Sequence, residues 1–182
     1  MNETLALILV DVQKGFQDRI WGKRNNPNAE LIIGSLLQYW RRRGWPVFHI
    51  QHLSPDPDSP LNPKRPGSAF FEETSPIPGE AVVTKRVNSA FIGTDLASQL
   101  KNQCLNRLVF CGFTTDHCVS TSVRMAKNLG FDPTLVADAT IAFERVDHNG
   151  IRYDAETVHS VSLASLNREF ASICNSKELL EN

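Results

Sequence analysis

Six apolar residues in a row, Leu5-Ala-Leu-Ile-Leu-Val10, end abruptly at Asp11. The run is far too short for a membrane span and lacks the alternation of a half-exposed strand, so it suits a strand buried on both faces. Such a strand needs a layer on each side, and the rest of the chain supplies them by alternation. Asn28 is placed to cap a helix reaching Arg43, with Leu31, Ile32, Leu36, Leu37 and Trp40 on one face and Gly44 and Pro46 as its stop. Further strands are predicted at 47–51, 80–84, 107–111, 133–137 and 170–174. Further helices are predicted at 94–103, 116–128 and 154–168. Strand and helix alternating without an internal repeat predict a three-layer α/β/α sandwich, with a six-stranded, mainly parallel, Rossmann-like sheet. Residues 1–182 read as a single domain.

Composition excludes several classes of partner. Lys plus Arg number 19 and Asp plus Glu 20, for a formal charge of −1, so bulk electrostatics favour neither nucleic acid nor an anionic membrane. The acidic start, Met1-Asn-Glu-Thr4, and the short run behind it do not resemble a targeting signal. The four cysteines, Cys104, Cys111, Cys118 and Cys174, contain no C-x-x-C pair. The expectation is a cytoplasmic protein with reduced thiols and no cofactor. Seven prolines between 54 and 79 (Pro55, Pro57, Pro60, Pro63, Pro66, Pro76 and Pro78) mark a long loop, a kind usually kept for function.

Ligands of parallel α/β sheets sit at the carboxyl ends of the strands. Three reactive residues fall there: Asp11, Lys85 and Cys118. Cys118 comes after Gly112-Phe-Thr-Thr-Asp-His117 at a helix start, where free N–H groups favour thiolate. Cys111 and Cys174 lie in apolar strands and read as packing residues. Alone, Asp11 reads as a cap and Lys85 as a surface lysine; together with Cys118 they supply proton acceptor, charge and nucleophile. His49 and His52 are three apart on a strand and so face opposite sides, which argues against a shared metal. His117 points about 100° away from Cys118 along a helix, and His148 and His159 are expected at the surface.

The motifs resemble those of the isochorismatase-like cysteine hydrolases. Asp11-Val-Gln13-Lys-Gly-Phe16 is similar to that family's D-x-Q-x-x-F element. Lys85-Arg-Val-Asn-Ser89-Ala-Phe91-Ile-Gly93-Thr94-Asp95-Leu96 is similar to K-x-x-x-S-A-F-x-G-T-D-L. Gly112-Phe-Thr-Thr115-Asp-His-Cys118-Val119 is similar to G-x-x-T-x-x-C-V, and Gly130-Phe and Val136-Ala-Asp138-Ala139 match the family's next stretch. The resemblance implies an Asp11–Lys85–Cys118 triad and a cis peptide at Phe113–Thr114. It also implies an oxyanion hole from the Thr114 and Cys118 amides, and a homo-oligomer, dimer or tetramer. Its pocket residues would be Gln13, Phe16, Trp21, His52, Ser89 and Phe91, although Phe16, Trp21 and Phe91 suit core packing equally and Ser89 suits a turn cap. Nicotinamidases of this family bind a metal through a D-x-H pair; His52 and Ser54 stand in those places here, which implies that no metal is needed. The implied activity is hydrolysis of a small-molecule amide, ureido or carbamoyl C–N bond through a thioester. Vinyl-ether hydrolysis, and a catalytically silent binding protein, stay open as alternatives.

Overall fold

The apolar run forms strand β1 (Ala6–Val10), all five residues of which are buried. A computed structural model describes residues 4–181. The other strands are β2 (Val47–His52), β3 (Ala81–Lys85), β4 (Arg107–Phe113), β5 (Asp132–Ile141), β6 (Arg145–Val146), β7 (Arg152–Tyr153) and β8 (Ser172–Cys174). The α-helices are α1 (Ala29–Arg43), α2 (Leu96–Asn102), α3 (Ser120–Asn128), α4 (Ala155–Leu166) and α5 (Ser176–Leu180). Six strands make one sheet in the order β3-β2-β1-β4-β5-β8, and every pairing in it is parallel. The hairpin of β6 and β7 lies outside that sheet.

Successive residues of β1 feed two cores, as the two-residue period of a strand requires. Ala6, Ile8 and Val10 face a core completed by Leu96 and Leu100 of α2, Val123 and Ala126 of α3 and Leu166 of α4. Leu7 and Leu9 face the other, with Ile33, Leu36, Leu37 and Trp40 of α1 and the flanking Leu179 and Leu180 of α5. The buried stripe of α1 includes Ala29 and Ile33 and leaves Leu31, expected on the apolar face, 69% exposed. An Ala29–Ile33–Leu36–Trp40 stripe follows the helical repeat, and Leu31 lies off it. Asn28 precedes α1 without a side-chain cap bond. Among the described residues no helix is long and apolar enough to cross a membrane.

The strand order runs outward in both directions from β1 and β4, so the topological switch point lies between their carboxyl ends. There the register of β4 against β5 shifts between Phe110 and Gly112. Gly112 has φ +116°, and a Cβ on it would stand 2.1 Å from the Val10 carbonyl oxygen, so only glycine lets β4 close on β1 here. The expected helix at 116–128 begins instead as a π-helical turn, Thr115–Val119, and becomes α3 only at Ser120.

The Pro-rich stretch is ordered by its own contacts. The Asn62 amide donates to the Ser54 and Asp56 carbonyls. Gly67 lies so close to Gly15 that a Cβ would fall 2.8 Å from the Gly15 Cα, which presses the loop onto the 3-10 turn Lys14–Gln17. The loop is thereby laid beside the carboxyl ends of β1 and β2.

Candidate active site

Asp11 follows β1 in the left-handed region, φ 53°, a conformation Asp tolerates better than most residues. Its N–H donates to the Ile50 carbonyl, which fixes the turn. Lys85 is the last residue of β3, and Cys118 lies in the π-helical turn. The structure brings all three together. Lys85 Nζ is 2.6 Å from Asp11 Oδ2, both side chains wholly buried, and 3.1 Å from His52 Nδ1. The Cys118 sulfur lies within 4.8 Å of a carboxylate oxygen of Asp11 and a ring nitrogen of His52, and Asp11 and Lys85 both bear on its charge. Asp11 Oδ1, also buried, has no hydrogen-bond partner among the described residues, which leaves it free to take a proton.

Burial dominates the electrostatics. It pushes the Asp11 carboxyl up, and the Lys85 ammonium works against it. It pushes the Cys118 thiol up to about 12, helped by the Asp11 charge and opposed by Lys85. Burial therefore works against the thiolate form that a helix start favours. Burial, then the Lys85 charge, pull His52 down to about 4. His52 is thus a neutral imidazole whose Nδ1 accepts from Lys85, while the ring also bonds the Val87 backbone.

Asp11, His52 and Cys118 each place one donor atom within 4.8 Å of the others, a spacing that could hold a metal ion. The surroundings do not fit one. Lys85 already bonds Asp11 and His52, so an incoming cation would meet a fixed positive charge and a ring without a spare lone pair. Ser54, at the other relevant position, has its hydroxyl accepting from the Asp56 amide.

Above the three residues lies a cavity of about 210 Å³. Phe16, Trp21, His52, Thr114 and Cys118 line it. Three expected pocket residues do not. Gln13 is consumed as a clasp: its amide nitrogen donates to the His52 and Ser68 carbonyls and its oxygen accepts from the His52 N–H. Ser89 accepts from the Phe91 amide as a turn cap, and Phe91 stacks on Phe131 at 5.9 Å in the α2–α3 core. Sequence reasoning missed Ser59, Leu61, Asn88 and Arg145, which come from loops and the β6–β7 hairpin. Arg145 reaches the cavity because Asp116, beside the nucleophile, holds its Nε at 2.8 Å. His159, expected at the surface, is 5% exposed. The Phe113–Thr114 peptide is cis, and the Thr114 carbonyl accepts from the His117 and Val119 amides.

The chain is similar to known proteins along nearly its whole length. Residues 5–178 match the family described as the isochorismatase domain. The isochorismatase family protein YrdC of Bacillus subtilis is 49% identical over 182 residues, covering 100% of this chain and 97% of that protein. A solved isochorismatase-family hydrolase structure from Chromobacterium violaceum superposes with a TM-score of 0.94 at 42% identity, over 100% of this chain and 93% of that one. Streptothricin hydrolase of Streptomyces noursei is 30% identical over 142 residues, 76% of this chain and 55% of that enzyme. With a family match across nearly its whole length, and with Asp11, Lys85 and Cys118 gathered at the switch point of its sheet, the chain belongs to the isochorismatase family of hydrolases.

Proposed function

We propose that the chain hydrolyses a C–N bond of a small amide, ureido or carbamoyl compound through a thioester on Cys118. The observation that carries this reading is the buried Lys85–Asp11 pair at 2.6 Å with the Cys118 sulfur within 4.8 Å of the Asp11 carboxylate. A thiol beside a carboxylate that Lys85 holds at 2.6 Å is arranged for general-base attack. Asp11 takes the Sγ proton as the S–C bond forms and the carbonyl π pair moves onto oxygen. The oxyanion is received by the Thr114 and Cys118 amides. As the intermediate collapses the C–N bond breaks, and Asp11 returns its proton to the leaving nitrogen. Water then adds to the thioester while Asp11 takes its proton. The C–S bond breaks, and that proton goes back to sulfur.

The cavity size supports a small substrate, since about 210 Å³ is below the range of drug-sized pockets. Phe16, Trp21 and Leu61 offer it an apolar wall, and Ser59, Asn88 and Arg145 polar ends. The relative named for streptothricin hydrolysis is consistent with a hydrolytic fold of this kind. The test is an ammonia-release screen over small amides, ureas and carbamoyl compounds, with mass spectrometry of the Cys118 peptide during turnover. A hit whose acyl adduct sits on Cys118, abolished in folded Cys118→Ala, supports the reading. Turnover that survives Cys118→Ala would remove covalent catalysis.

A further inference from the structure

Thr115 stands one residue after the amide assigned to the oxyanion and three before the nucleophile, and it is wholly buried. Its hydroxyl meets two groups: the Ile141 carbonyl at 2.9 Å and His159 Nδ1 at 2.9 Å. A hydroxyl has one proton, and a carbonyl can only accept. The proton therefore goes to Ile141, and His159 Nδ1 carries the hydrogen that Thr115 Oγ1 accepts. Thr115 thus ties the nucleophile turn to the carboxyl end of β5, and His159 ties the same turn to α4. The imidazole is buried to do so, where an apolar side chain would be less costly to desolvate.

We propose that His159 is a positioning residue for the oxyanion site, acting through Thr115 to hold the Thr114 amide where the developing oxyanion forms. This deepens, and rests on, the acyl-transfer reading above. His159 does not line the cavity, so its effect is on geometry and not on substrate contact. Donors of this kind act only when they point at the transition-state oxygen, and small misplacements are costly.

Two reagents that attack the same thiol separate this role from mere packing. p-Nitrophenyl acetate acylates Cys118: the S–C bond forms, the carbonyl becomes an oxyanion, and p-nitrophenolate leaves. Iodoacetamide alkylates it by displacing iodide, with no oxyanion at all. Both are followed on the Cys118 peptide by mass spectrometry, in full-length protein, which also sets aside the exposed Cys104. His159→Leu is expected to slow acylation roughly tenfold or more while alkylation stays within about twofold. His159→Asn, whose amide nitrogen stands near the place of Nδ1, is expected to restore most of the acylation rate. Thr115→Val against Thr115→Ser repeats the comparison from the other end of the bond and serves if the Leu variant does not fold. Acylation and alkylation falling together, or neither falling, would overturn the proposal. A parent protein that alkylates at Cys118 but never acylates would bring down the acyl-transfer reading itself, and this proposal with it.

Discussion

Asp11 and Lys85 bear on the Cys118 thiol with opposite signs, and that gives each a distinct signature. Asp11 raises the thiol and Lys85 lowers it, on top of a larger rise from burial. Asp11→Asn should therefore shift the pH profile of Cys118 alkylation toward acid while turnover falls by about a hundredfold or more for want of a base. Lys85→Met should shift the same profile toward alkali. In the parent, a thiol near 12 means that alkylation keeps climbing through pH 9 without a plateau, where a preformed thiolate would be flat. A plateau near neutrality would refute the thiol ground state. The neutral His52, accepting from Lys85, leads to a second expectation: EDTA should leave turnover unchanged, and nicotinamide should be a poor substrate. Activity lost to the chelator and restored by zinc or iron would contradict it.

Among the elements, the Pro-rich loop carries the most weight, because Ser54, Ser59 and Leu61 form part of the cavity. Its far end is held by Glu80. That carboxylate accepts from Arg41 Nε at 2.7 Å and Nη2 at 2.8 Å on α1, from the Ile77 amide at 3.0 Å, and lies 2.8 Å from His49 Nε2 on β2. Burial opposes ionisation, yet the Arg41, Ile77 and His49 bonds hold Glu80 at about 2. A carboxyl lower in the folded than the unfolded state stabilises above the unfolded value and loses that contribution as pH falls. Glu80→Gln should thus cost about 2 kcal/mol at pH 7 in urea unfolding, and the gap should narrow as pH falls below about 4. A gap independent of pH would assign the loss to shape and not to charge. The strand ends that bear Asp11 and Lys85 were legible because apolar runs stop at them; the loop walls were not. Ser59, Asn88 and Arg145 lie outside any period, and Arg145 is brought in by its long-range bond to Asp116. His159 was hidden for another reason. α4 mixes small and polar residues around its circumference, Ala-Glu-Thr-Val-His-Ser-Val-Ser, so no apolar stripe marks the face that is buried. The opposing effect of burial on the Cys118 thiol was not legible either, because a local dipole can be read from sequence, whereas desolvation depends on the assembled sheet.

At the scale of the whole molecule, the fold tolerates a costly feature at its centre. Lys85 ends β3 and Asp11 follows β1, the two strands that flank β2, and neither side chain is accessible to water. Desolvating two charges can cost more than their attraction returns, so such a pair is poor evidence of stability, whereas removing one partner strands the other. Asn at position 11 keeps a side chain that accepts the φ of 53°, so Asp11→Asn tests charge with little backbone change. Alone, it should lower the unfolding free energy by about 3 kcal/mol, since the buried Lys85 ammonium loses the carboxylate that balances its charge. That loss lies within the roughly 5–15 kcal/mol of a typical domain, which leaves the variant folded for the alkylation measurement. Lys85→Met should cost less than Asp11→Asn, because burial already pushes Asp11 toward the neutral acid that needs no counter-charge. The double variant Asp11→Asn/Lys85→Met removes both charges in nearly the same volume. It should recover most of the loss, reaching or exceeding the parent by about 1 kcal/mol, while remaining inactive. Urea unfolding of the four proteins at neutral pH closes the cycle. If the double variant proved as unstable as the sum of the singles, the pair would be no drain on the fold, and its burial would need a reason other than catalysis.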